Sequence, residues 1–169
     1  MSREVNTIIG RGFEAASPSR RPSAIDLGSK SIDVLSVSPI QDDHDSLERI
    51  LNPTQWVIQK AHSLESGVAK LQQYRFPVVV CERDLMPGTW REMLAEAAQL
   101  MPSPFLIVTC RLADEYLWAE ALNVGAYDVL AKPFDAAEEV NRVVSLAWLH
   151  WKDLRQFDCA GVQKTMPAY

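Results

Sequence analysis

The chain has 169 residues, 47% of them hydrophobic, with 17 lysines and arginines against 22 aspartates and glutamates. This length suits one domain of ordinary size with tails, and the apolar share is enough to fill its core. The net charge of −5 argues against a nucleic-acid groove or a polybasic membrane surface.

Residues 1–30 carry Gly10, Gly12, Ser17-Pro18-Ser19, Pro22-Ser23 and Gly28 with little periodicity. They read as a flexible arm, mildly basic through Arg11, Arg20 and Arg21. From Ser31 the pattern changes. Ile32 to Val37 reads as a first strand, and Asp42 to Leu51 as a helix with Leu47, Ile50 and Leu51 on one face, closed by Asn52-Pro53. Trp56-Val57-Ile58 is a short second strand, and Leu64, Val68 and Leu71 are spaced as the buried stripe of a second helix. Val78 to Cys81 is a continuous apolar run, as in a strand covered on both faces. Trp90, Met93, Leu94, Ala97 and Leu100 mark a third helix, and Phe105 to Val108 a fourth strand. A fourth helix spans about Ala113 to Asn123, with Gly125 just past it as a stop, before a fifth strand over Asp128 to Ala131. The last helix is the clearest, with Val140, Val143, Val144, Ala147, Trp148 and Trp151 at a 3.6-residue period. Asp135 and Glu138 offer it a near-capping box.

Strands alternating with helices predict a doubly wound, five-stranded parallel sheet of order 2-1-3-4-5 with helices on both faces, over residues 31–152. Residues 153–169 lose periodicity and read as a C-terminal tail. In such a fold the functional crevice lies at the carboxyl ends of the strands. Residues 38–44, 82–88, 109–111 and 132–134 meet there. Lys132, aimed by Pro133, is the cation of that edge. Cys81, Cys110 and Cys159 cannot all pair and do not have zinc-ligand spacing. Cys110 reads as a small buried residue, and His44, His62 and His150 as surface or capping residues. No apolar run approaches a membrane span, and Ile8-Ile9 is too short for the core of a secretory signal. A reduced, cytoplasmic setting is expected.

The set Val108-Thr109, Gly125-Ala126-Tyr127-Asp128 and Ala131-Lys132-Pro133-Phe134 resembles the receiver domains of two-component response regulators. The resemblance covers residues 31–152 and implies a flavodoxin-like fold with a phosphoryl-transfer site. It implies an aspartate at the end of the third strand that accepts phosphate from a histidine kinase. An acidic pair after the first strand would hold a divalent metal, and Thr109 and Lys132 would contact the phosphoryl oxygens. Such transfer is mostly positioning and charge neutralisation, so the metal carriers matter as much as the nucleophile.

Two of these positions depart from the pattern. Ser38-Pro39 stands where the acidic pair is expected, and it offers no hard anionic ligand to magnesium. Asp42 and Asp43 are weak metal candidates, read first as acids of the opening helical turn. At the third strand, counting from the apolar run gives Glu82, whereas counting back from Met86-Pro87-Gly88 gives Arg83, and Asp84 is a third candidate. Glu82 is preferred, because strand alternation fixes register better than a loop that can gain a residue. Its extra methylene displaces the carboxylate by more than about an ångström, and misplacement on that scale can cost about 100-fold in rate. Facing Lys132, it would form a charge-assisted pair.

The expected function is a stand-alone atypical receiver, not an enzyme, acting in phosphorelay-type signalling through protein–protein contacts with phosphorylation weakened or lost. No cofactor is expected. The partner would be a histidine kinase or a downstream signalling protein. A homodimer through the face of the fourth helix, fifth strand and fifth helix is a further expectation, with Tyr116 and Trp118 as anchors. The alternative is a working phosphoacceptor domain that uses Glu82 or Asp84 with Mg2+ held in part by Asp42 or Asp43. A different ligand on the same fold is the third reading, without a glycine-rich phosphate loop to support a nucleotide.

Overall fold

A computed structural model describes residues 31–51 and 55–161, with side chains through residue 156. The predicted arm, Asn52-Pro53 and the end of the predicted tail lie outside the described residues. The elements run β1 (Ile32–Val37), α1 (Gln41–Leu51), β2 (Trp56–Ala61), α2 (Leu64–Gln73), β3 (Val78–Glu82), α3 (Trp90–Ala98), β4 (Phe105–Cys110), α4 (Glu115–Val124), β5 (Asp128–Ala131) and α5 (Ala137–Gly161). The sheet is fully parallel, in the expected order β2-β1-β3-β4-β5.

Strand alternation sorts the core into two layers. Leu35, Val37, Val79, Cys81, Leu106, Val108 and Val129 face α2, α3 and α4, where Leu71, Met93, Ala97, Leu117 and Ala121 meet them. Val34, Val78, Val80, Ile107 and Leu130 face the other way, against Leu47 and Leu51 of α1 and Val140, Val143, Val144 and Ala147 of α5. Each of the buried valines, leucines, isoleucines and methionines contributes roughly 1.5–3 kcal/mol by leaving water. The same alternation carries forward to the carboxyl edge. Ser36, Ser38, Glu82, Thr109 and Lys132 share the parity of the second set, so strand geometry directs them toward the α1 and α5 side.

Several boundaries differ from the sequence reading. β2 runs three residues beyond Ile58, to Ala61, because pairing with β1 continues through Val37. Asp114 caps α4 through the Leu117 N–H, 2.8 Å away, so that helix begins at Glu115 and not near Ala113. Helix α5 begins at Ala137, which leaves Asp135 ahead of the cap position predicted for it. It also continues past Lys152 to Gly161. The stretch Lys152 to Ala160 has no proline or glycine to stop it. The period fades because Trp151, 4% exposed, is the last buried residue of α5 in the described part. Gly125 closes α4 as expected, with φ at 115°.

Gly67 shows how closely α2 approaches the sheet. A Cβ at this position would lie 2.5 Å from Met93 Cε and 3.1 Å from Val37 Cγ2. Gly67→Val is therefore expected to lose about 2–3 kcal/mol by overpacking, read as a lower urea midpoint at unchanged slope. A loss under about 0.5 kcal/mol would mean that this contact relaxes freely.

Candidate functional site

The register pairs Glu82 directly with Thr109, so Glu82 is the last residue of β3 and lies at the carboxyl edge. Glu82, Thr109, Lys132 and Ser38 are all buried there. Thr109 Oγ1 donates to Glu82 Oε2 at 3.3 Å. Lys132 Nζ makes a very short ion pair with the same oxygen and reaches Asp43 Oδ2 at 2.6 Å. Ser38 Oγ donates to that Asp43 oxygen, also at 2.6 Å, and accepts from the Ile40 N–H at 3.2 Å. The result is one chain of contacts, Ser38–Asp43–Lys132–Glu82–Thr109, joining the carboxyl ends of β1, β3, β4 and β5 with the first turn of α1.

The remaining candidates separate from this chain. Asp84 is exposed and forked by Arg83, with contacts of 2.7 and 3.0 Å. The Arg83 guanidinium holds the Asp84 carboxyl below the usual carboxylate range. Only the Asp84 backbone N–H turns inward, to Glu82 Oε1 at 3.3 Å. Asp42 is exposed on α1 and Pro39 supplies no side-chain donor. Asp42 and Asp43 are both first-turn acids of α1, as read from the sequence, but Asp43 also reaches into the site.

His44 corrects an expectation. It is fully buried, not a surface or capping residue. Its Nε2 lies 3.0 Å from the Ser38 carbonyl, which can only accept, so Nε2 carries the proton. Nδ1 then accepts from Ser36 Oγ at 2.8 Å. Burial pushes the imidazole below its ordinary value near 6.5, against the opposing hydrogen bond to Ser38. A signal existed in the sequence: His44, Leu47 and Leu51 fall at i, i+3, i+7, on the apolar stripe of α1. Cys110 is buried as expected, and desolvation pushes the Cys81 and Cys110 thiols up, away from the reactive thiolate.

A divalent metal, which the resemblance implies, does not fit these residues. The Ser38 hydroxyl is spent on Asp43, and one oxygen of each of Asp43 and Glu82 already faces the Lys132 ammonium. Among the described residues, no three acidic, histidine or cysteine side chains cluster as a metal-binding group. Next to the site, a cleft of about 710 Å³ opens between α1 and the segment after β5, lined by residues that include Arg49, Arg111, Lys132 and Phe134.

On the α4 side, Tyr116 and Trp118 are exposed, the former at 79%. Trp118 is held by its indole N–H, which donates to Asp128 Oδ1 at 3.2 Å.

No family model matches the sequence, and no curated protein matches it. Solved structures do match in shape. The chemotaxis response regulator CheY4 of Vibrio cholerae superposes with a TM-score of 0.63 at 18% identity, over 69% of this chain and 98% of that one. The signal receiver domain of an HD domain-containing protein from Pseudomonas fluorescens Pf-5 gives 0.67 at 23% identity, over 75% and 93%. A CheY-like response regulator receiver domain protein from Methanospirillum hungatei JF-1 gives 0.65 at 20%, over 73% and 98%. The chain has the fold of response-regulator receiver domains.

Proposed function

We propose that this chain is an atypical receiver module of a two-component system, in which phosphoryl transfer is weakened or lost and the output is a protein–protein contact. One observation supports the reading above all others. Lys132, at the position that would meet phosphoryl oxygens, is buried between Glu82 and Asp43. Its charge is already answered from within the chain, so an incoming phosphoryl group would have to displace a carboxylate. Ser38 and Pro39 leave no acidic pair to hold a metal, and the module works without one. The protein acts in the cytoplasm as a binding partner, not as an enzyme; among the described residues, no helix is long and apolar enough to cross a membrane. Its partner is a histidine kinase or a downstream signalling protein. A homodimer through α4, β5 and α5 is the interface this reading favours, with Tyr116 and the tethered Trp118 as anchors.

The test is incubation with magnesium and a small-molecule phosphodonor, followed by intact mass measurement. The wild type is expected to remain unmodified over hours. An adduct would overturn the proposal in favour of a working phosphoacceptor, and its loss in Glu82→Ala or in Asp84→Ala would identify the acceptor. Asp84 is the accessible carboxylate of the two, while both Glu82 oxygens are engaged.

A further inference from the structure

The cleft beside the site is lined by six charged side chains, and half of them are already matched. Asp45 is held by Lys60 and Gln41, each within 3.0 Å. Asp43 and Lys132 hold one another. What remains is Arg49 from the last turn of α1, Arg111 from the segment after β4, and the single carboxylate of Asp42. Neither arginine has an ion pair or hydrogen bond to another described residue. Both are exposed, and both border the same cleft as the apolar wall of Ile40, Pro133 and Phe134.

The lining as a whole balances three carboxylates against three cations, but the two guanidinium groups without partners among the described residues are planar donors open to an incoming group. Such forks suit carboxylate and phosphate oxygens, which they can bind in pairs. A volume of about 710 Å³ falls within the range typical of small-molecule sites, where an apolar wall and a few polar groups together fix a ligand. We infer that this cleft binds a small organic ligand carrying at least two anionic groups, phosphate or carboxylate, with its body against Phe134 and its charges on Arg49 and Arg111. The site is separate from the proposed loss of phosphoryl transfer, since no bond is made or broken in it. Because Lys132 lines the cleft without offering a spare charge, recognition falls to the arginines.

The experiment is a thermal unfolding series with pyrophosphate and, in a second arm, citrate, each at ionic strength matched with sodium chloride. Wild type, Arg49→Gln, Arg111→Gln and the control Arg142→Gln, on the exposed side of α5, are compared. A ligand at ten times its Kd is expected to raise the wild-type midpoint by roughly 5 °C. Arg142→Gln should keep that rise, and each cleft variant should lose most of it, with tenfold or greater weakening by calorimetric titration. A response to pyrophosphate alone assigns the site to phosphate esters, and a response to citrate alone assigns it to polycarboxylates. No shift up to 10 mM of either probe, or an equal shift in all four proteins, would overturn the proposal. Phosphodonor chemistry reads a different outcome, so failure here leaves the reading of the buried site intact.

Discussion

Lys132→Met is expected to destabilise the protein by about 3–5 kcal/mol at neutral pH. The side chains of Lys132, Glu82 and Asp43 are only 4%, 6% and 13% exposed. Solvent therefore screens them little, and the small values typical of surface ion pairs do not apply. Removing the ammonium leaves two carboxylates turned toward one point, each losing its charged partner. Most of the loss is the cost of stranding these anions, not the net worth of the original triad, which against a well-packed apolar equivalent can be near zero. A second substitution separates the two quantities. Adding Glu82→Gln removes one stranded charge while keeping an acceptor for the Thr109 hydroxyl, and should recover at least half of the loss. Adding Asp43→Asn should recover a comparable share. Urea denaturation of the four proteins reads these values directly. A cost below about 1 kcal/mol for Lys132→Met would mean that water reaches the triad, and would remove the main support for a charge answered from within.

The second large effect concerns His44. His44→Ala should cost about 3 kcal/mol, because it strands the buried Ser38 carbonyl and Ser36 hydroxyl and opens a void beside Leu47. His44→Asn, which can keep part of the hydrogen bonding, should cost less. The pH dependence follows from the direction of the shift. Burial holds the folded imidazole below its ordinary value near 6.5, with Lys60 and His62 adding to the effect and Asp43 opposing it. Between the ordinary value and the lower folded one, the unfolded chain binds a proton that the folded chain does not. Acidification there favours unfolding. The contribution is intact above about pH 6.5 and is lost as the pH falls from there through the folded value. Stability measured at pH 7.5, 6.5 and 5.5 should decline more steeply in the wild type than in His44→Asn. Parallel profiles for the two proteins would show that His44 protonates equally well in both states.

The features legible in the sequence were those that repeat. Five apolar runs, and four helices with a period of 3.6 residues, required nothing beyond local pattern, and one topology rule then gave the sheet order. Glu82 was located by the same logic, since alternation from Val78 onward leads to it and pairs it with Thr109. Asp43 was legible as a first-turn acid but not as a partner of Lys132. These residues are 89 positions apart, and only the packing of α1 against the sheet brings them to 2.6 Å. His44 was missed for a different reason. A polar residue on an apolar stripe reads as an exception until its two partners are known, and these lie in the preceding strand and just past its end. The end of α5 was misplaced because periodicity records what a helix faces. Where the helix no longer faces a core, the chain remains helical and the pattern disappears.

That overrun of α5 gives the molecule a lever. From Lys152 to Gly161 the helix extends roughly 15 Å beyond its last buried side chain in the described part, at about 1.5 Å per residue. Arg155 stacks on Trp151 with its guanidinium 4.8 Å from the ring, stiffening the root. A tilt of about 10° at that root would carry Gly161 roughly 3 Å sideways, on the same helix geometry. Small rearrangements where α5 meets the sheet are thereby magnified at its far end.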